Sequence, residues 1–258
     1  MKSEVQIRLL RHATLTIEIA NTKFLVDPLF AEKDAYDPIP YAGNTIRYPM
    51  VGLPFNGEET KQLINEVDAI LVTHTHNDHW DIVAQNIIPK DKPLLCQPAD
   101  LDLLKQQGFQ NVTAVIDELT FNGISITRTG GQHGTGEIGK KMGIVSGFVL
   151  NDGTTNVYVA GDTIWCEEVE EALNAFKPDI TIVNAGAPQY IVGDPITMTP
   201  NDIISVAEHL PSTKIVAVHM DTVSHAKVSR LDLEKELKSK NYLNKVLIPA
   251  DGEMMLFN

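Results

Sequence analysis

Four apolar, strand-like runs in this chain each end in a side chain that can hold a metal, and this limits the folds open to it. Phe24-Leu-Val ends at Asp27, Ile70-Leu-Val-Thr at His74, Val157-Tyr-Val-Ala-Gly at Asp162, and Ile215-Val-Ala-Val at His219. In open α/β sheets, ligand sites form beyond the carboxyl ends of the strands. Four runs that end this way point to one site assembled from separated segments. The run ending at His74 continues as Thr75-His76-Asn77-Asp78-His79. Imidazole suits zinc and other first-row metals, and a carboxylate adds a hard oxygen donor. On an extended segment, residues two apart project to the same side, so His74 and His76 can approach one metal. Asp78 and His79, past the turn, can reach a second. His133 is a fifth candidate, in Gly130-Gly-Gln-His-Gly-Thr-Gly136, where the glycines let backbone come close to a ligand.

Strand-like runs recur at 5–10, 15–19, 23–26, 69–72, 93–96, 112–115, 124–128, 146–150, 156–160, 180–183, 214–218 and 245–248, rich in Val, Ile and Thr. Helices are expected between several of them. Asn56-Gly-Glu-Glu59 reads as a cap ahead of Leu63, Ile64 and Val67. Residues 100–107 end at Gly108, and 167–176 stop before Lys177-Pro178. Thr199-Pro200 opens a helix to Leu210, and Ser229 caps the last, to about Lys240. Strands dominate the first half and alternate with helices in the second, which argues for a layered α/β fold. No repeat or linker interrupts the chain, so 1–258 reads as a single domain. Residues 30–55 follow neither period. The aromatics Tyr36, Tyr41, Tyr48 and Phe55 make this segment an ordered loop near the active site rather than a disordered one.

Composition narrows the partners. The net charge is −13, from 34 Asp and Glu against 21 Lys and Arg, so polyanions are repelled. We expect no nucleic acid and no membrane partner, since no apolar run approaches the ~20 residues of a bilayer span. The first residues lack a secretory signal, and Cys96 and Cys166 read as free thiols; a cytoplasmic protein is expected.

The ordered set His74-x-His76-x-Asp78-His79, His133, Asp162 and His219, with Asp27 before it, resembles the metallo-β-lactamase superfamily over nearly the whole chain. Arg11-His12-Ala-Thr-Leu-Thr-Ile-Glu, Gly161-Asp162-Thr163 and His219-Met-Asp-Thr are most similar to the branch that includes L-ascorbate 6-phosphate lactonase. The resemblance implies a four-layer αββα sandwich, two mixed sheets with helices outside. It implies two divalent metal ions, zinc first, with manganese or iron accepted by the same donors. One would take His74, His76 and His133, the other Asp78, His79 and His219, with Asp162 bridging. True β-lactamases carry a cysteine where this chain has Asp162, which argues against antibiotic hydrolysis. Flavodiiron proteins have glutamate where it keeps His76.

Around that set, Asp27 reads as holding a ligand histidine's other nitrogen, or as a turn cap before Pro28. His12 lies beside the metals or is an ordinary strand histidine. His225 binds substrate or donates a proton, or is a surface residue, and Asp78 can also orient the nucleophile. His209, Trp80 and Trp165 read as structural. The expected activity is metal-dependent hydrolysis by a dinuclear-metal-activated hydroxide. The expected substrate is a small-molecule, anionic ester or lactone, of the sugar-phosphate lactone kind. The alternatives are a phosphodiesterase for a small nucleotide or lipid-derived ester, and a metal-dependent binding module without turnover. A homo-oligomer is compatible with the sequence.

Overall fold

The computed structural model describes residues 2–258. The chain begins with an antiparallel series, β1 (Val5–Arg11), β2 (Thr14–Ile19) and β3 (Thr22–Val26). Then follow α1 (Gly57–Glu66), β4 (Ala69–Val72), α2 (Ile82–Ile87), β5 (Leu94–Cys96), α3 (Leu101–Gln106) and β6 (Val112–Ala114). From β3 to β6 the strands are parallel neighbours.

The second half repeats this plan. Strands β7 (Glu118–Phe121), β8 (Ile124–Thr129), β9 (Gly147–Asn151) and β10 (Asn156–Val159) are antiparallel, with α4 (Gly136–Met142) between β8 and β9. Parallel β10, β11 (Ile180–Asn184), β12 (Lys214–Val218) and β13 (Val246–Leu247) alternate with α5 (Glu167–Phe176), α6 (Pro200–His209) and α7 (Arg230–Ser239). Finally β14 (Met254–Phe257) returns to pair with β1. The result is two mixed seven-stranded sheets, ordered β14-β1-β2-β3-β4-β5-β6 and β13-β12-β11-β10-β9-β8-β7.

The continuous apolar runs exist because the parallel strands are buried on both faces. In β4, Ala69 and Leu71 join the core between the sheets, while Ile70 and Val72 pack outward with Leu63, Ile64, Ala84 and Leu104 beneath α1, α2 and α3. In β12, Val216 and Val218 face the central core, while Ile215 and Ala217 pack with α5, α6 and α7. This two-residue alternation creates the four layers that the resemblance implies.

Four elements escaped the sequence reading, each for a physical reason. Helix α4 buries no residue and α2 buries only Ala84, so neither has an apolar stripe. Edge strand β7 is short and half-exposed, although Asn122-Gly123 after it, both at positive φ, marks a two-residue hairpin turn. Strand β14 is also an edge, with Met254 and Leu256 exposed. The expected strand at 245–248 contracts to Val246–Leu247, after a 3-10 turn over Leu243–Lys245. The parallel βα pattern also occupies the first half, which the sequence had suggested was mostly strand.

The 30–55 segment is ordered by specific bonds. Buried Arg11 donates to the carbonyls of Leu29, Ala31 and Val51 at 2.7, 2.8 and 3.0 Å. Buried Asp81 accepts from the Ala31 amide (2.7 Å) and the Tyr36 hydroxyl (2.9 Å). Tyr36 and Tyr48 pair across the loop, and the Met50 amide reaches the Thr222 carbonyl.

Candidate metal centre

Because β3 and β4 are parallel in one sheet, and β10, β11 and β12 in the other, their carboxyl ends meet at one edge of the sandwich. Asp27, His74, Asp162 and His219 project from those ends. Sharp turns are needed there. Asp27, His219 and His12 all adopt left-handed backbone, at φ 45, 66 and 61, and the His219 amide bonds the His12 carbonyl at 2.9 Å. Close backbone approach requires Gly161, φ 71, since a Cβ there would lie 2.8 Å from the Ser146 carbonyl oxygen.

Seven of the expected residues converge. His74 Nε2 lies 3.0 Å from His76 Nδ1, and these atoms cluster with a ring nitrogen of His133 within 4.8 Å. Beside them, His79 Nε2 lies 3.2 Å from His219 Nε2, and Asp78 Oδ2 lies 3.9 and 3.6 Å from those two nitrogens. Asp162 stands between the groups. Its Oδ2 is 3.3 Å from His79, 3.4 Å from His133 and 3.9 Å from His74, and its Oδ1 is 3.4 Å from His219.

The outer partners fix which ring nitrogens carry lone pairs. His133 Nδ1 donates to the Ile196 carbonyl at 2.8 Å, and His79 Nδ1 donates to Asp27 Oδ2 at 2.8 Å. Thr73 Oγ1 donates to the same Asp27 oxygen at 2.6 Å and can accept from His74 Nδ1 at 3.1 Å. The Nε2 lone pairs of His74 and His133 therefore aim at Asp162. At 3.9 and 3.4 Å from the Asp162 carboxylate oxygen, these lone pairs repel it unless a cation lies among them. Roughly 3.3 Å is the donor–donor spacing that bonds of about 2.0–2.1 Å make at tetrahedral angles. The donor set therefore fits a metal.

Electrostatics agrees. Burial opposes charge on Asp162, but His219, His79 and His133 hold its carboxyl well below the usual range. Burial likewise opposes charge on Asp78, and His79 and His12 outweigh it. Burial alone would keep His79 neutral, yet Asp162, Asp78 and Asp27 raise its pKa well above the ordinary value. The carboxylates thus call for positive charge at the position a cation would take. His74 has no such surplus, and burial, then His79, keep it neutral.

Asp27 is buried behind His79 and Thr73 and does not line the cavity over the cluster. His12 is buried beside the cluster, its Nε2 3.2 Å from Asp78 Oδ2 and its ring 3.7 Å from that of His219. Burial, then His219, push its pKa down to about 3. His225 is buried rather than on the surface, 5.3 Å from the Tyr190 ring, and burial pushes its pKa down to about 4. His209 sits apart against Asn174, and Trp80 is core, bonded to Gln107. The sequence reading missed Asn184, whose Nδ2 donates to Asp162 Oδ1 at 2.5 Å. Its signal was available: Ile180-Thr-Ile-Val is one more apolar run ending in a polar residue.

A cavity of about 440 Å³ opens over the cluster. Its floor carries His76, Asp78, His133, Asp162, His219 and His225. The 30–55 loop contributes Tyr36, Asp37, Pro38, Ile39, Pro40 and Tyr48, and Met142, Pro188, Tyr190 and Ile196 face them. Among the described residues no Lys or Arg lines it.

Residues 22–220 match the model of the beta-lactamase superfamily domain. The UPF0173 protein YddR of Bacillus subtilis (strain 168) is 38% identical over 260 residues, covering 98% of this chain and 100% of that protein. The crystal structure of a possible metal-dependent hydrolase from Veillonella parvula DSM 2008 superposes with a TM-score of 0.91 at 39% identity, over 99% of both chains. That of isothiocyanate hydrolase from Delia radicum gut bacteria gives 0.92 at 37% identity, over 98% of this chain and 99% of the other.

Proposed function

The chain belongs to the beta-lactamase superfamily as a metal-dependent hydrolase of the UPF0173 group, and from that premise we propose that it hydrolyses small, uncharged carbon electrophiles bearing an apolar group. Isothiocyanates are the class we favour. The observation that carries this reading is the cavity wall opposite the cluster, built from Tyr36, Ile39, Tyr48, Met142, Tyr190 and Ile196 without a cationic side chain. Such a wall desolvates an apolar substituent and offers nothing to a phosphate. The similarity to an isothiocyanate hydrolase supports the same class.

Two divalent cations, one near His74, His76 and His133 and one near Asp78, His79 and His219, would supply acidified water and Lewis acidity. Asp162 reaches both groups. Asp27 and the Ile196 carbonyl hold the Nδ1 protons of His79 and His133, keeping Nε2 free for the centre. His225 stays neutral at physiological pH and so offers one N–H donor to a substrate heteroatom. Asp78, mostly buried but lining the cavity, orients water against the electrophilic carbon. For an isothiocyanate, one water is consumed, the carbon–nitrogen bond breaks, and an amine and carbonyl sulfide leave, with the nitrogen gaining two protons.

An anionic ester or lactone, sugar-phosphate lactones included, is the second reading. Charge favours it, since two dications outweigh Asp78 and Asp162. Metal-loaded protein assayed against alkyl and aryl isothiocyanates, a sugar-phosphate lactone, neutral esters and a phosphodiester separates the cases. We expect amine release from isothiocyanates to be fastest, and His76→Ala to lose both turnover and bound metal. Faster turnover of the lactone or phosphodiester would replace the substrate class. Silence on the whole panel, with tight ligand binding, would favour a binding module.

A further inference from the structure

Between the two histidines of the His74–His76 pair stands Thr75, which projects to the opposite side, as alternation requires. Its Oγ1 donates to Asp100 Oδ1 at 2.9 Å. Asp100, at the end of a 3-10 turn over Pro98–Asp100, accepts on its other oxygen from Gln97 Nε2 at 2.8 Å. Gln97 Nε2 also donates to the Ile144 carbonyl at 2.8 Å, and Gln97 Oε1 accepts from Ser146 Oγ at 2.9 Å. Both amide protons and the amide oxygen of Gln97 are thus used. Gln97, Asp100 and Ser146 are all buried. The chain of bonds runs from the first sheet, where Gln97 follows β5, to the second, where Ser146 precedes β9. There it meets the backbone beside Asp162: the Ser146 carbonyl packs where only Gly161 fits.

We infer that Thr75, Asp100, Gln97 and Ser146 form a positioning relay that sets the distance between His74 and His76 on one sheet and His133 and Asp162 on the other. This rests on the two-cation reading above. Asp27 already grips Thr73 from its amide and hydroxyl, at 2.8 and 2.6 Å. With Asp100 on Thr75, two buried carboxylates hold alternate residues of one extended segment, and the ligand-type histidines lie between and beyond them. A metal centre needs its donors held to within about 0.5 Å, and a relay of paired buried polar groups gives that rigidity from one sheet to the other. None of the four touches the cavity, so they act through the histidines and are positioning residues only.

Thr75→Val and Asp100→Asn test this. The valine keeps the branched shape and removes the hydroxyl; the asparagine keeps the volume but replaces one of the two acceptor oxygens with a donor and removes the charge. Cation stoichiometry and affinity are measured by elemental analysis and chelator competition, with denaturant unfolding alongside. Wild type is expected to hold two cations. In both variants one site should weaken by roughly 10–100-fold while the other keeps its affinity, and turnover should recover at saturating metal. Unchanged affinity at both sites would overturn the relay, as would equal weakening of both in step with lost stability. A wild-type protein holding no cation pair would instead remove the functional reading itself.

Discussion

His12, Asp27 and His219 occupy left-handed backbone that most side chains avoid, at a cost on the order of 1–3 kcal/mol each. The cost is borne at strand ends, where the turn re-aims each side chain into the cluster. Two other residues matter for what they do not do. Cys96 and Cys166 are buried; burial, then Asp100, push the Cys96 thiol up to about 12, and burial raises Cys166 as well. Thiolates attack the carbon of isothiocyanates, so the lack of a reactive thiolate suits the substrate class proposed above. Native protein at pH 8 should leave both thiols unlabelled by a disulfide reagent, and denatured protein should react at both. The folded state keeps these protons, so their contribution to stability is intact below the free-thiol value of 9.0 and falls as pH rises above it. A urea titration between pH 8 and 11 should show that decline. Rapid labelling of the native protein would contradict the burial argument.

At the scale of elements, helix starts were the most legible feature. Asn56 with Glu59, Thr199 with Asp202 and Ser229 with Asp232 all form reciprocal capping boxes. Caps are local chemistry, written within four residues. Elements that lack a buried face left no such mark, and α4 and β7 went unread for that reason. Asp81 joins the two kinds of information. It caps α2 by accepting from the Ala84 amide at 2.7 Å and also holds Ala31 and Tyr36 of the 30–55 loop. Only the first of those roles could be seen locally. Asp81→Ala should cost about 1–2 kcal/mol from the cap, with more from the orphaned loop amide. Because Tyr36 lines the cavity, KM should rise more than kcat falls. A stability loss with unchanged KM would separate the loop from substrate binding.

For the molecule as a whole, the metal donors come from both sheets, so occupancy and global stability are linked. Cations bound at a hundred times their dissociation constant add about 2.7 kcal/mol per site, and in a chain of this length each kcal/mol moves Tm by roughly 2–4 °C. Exhaustive chelation should therefore lower Tm by about 5 °C or more, and readdition should restore it. A Tm indifferent to chelator would argue that the facing lone pairs are satisfied without a cation. The sequence by itself determined the layered class, the strand ends and the ligand-type residues, because alternation, caps and donor chemistry are written within a few neighbouring positions. Tertiary structure alone decided between the two readings of His12, that Gln97 spans the sheets, and that the cavity wall is aromatic and free of cationic side chains. Those facts depend on which distant segments meet when two sheets close over one core, and no local pattern records that.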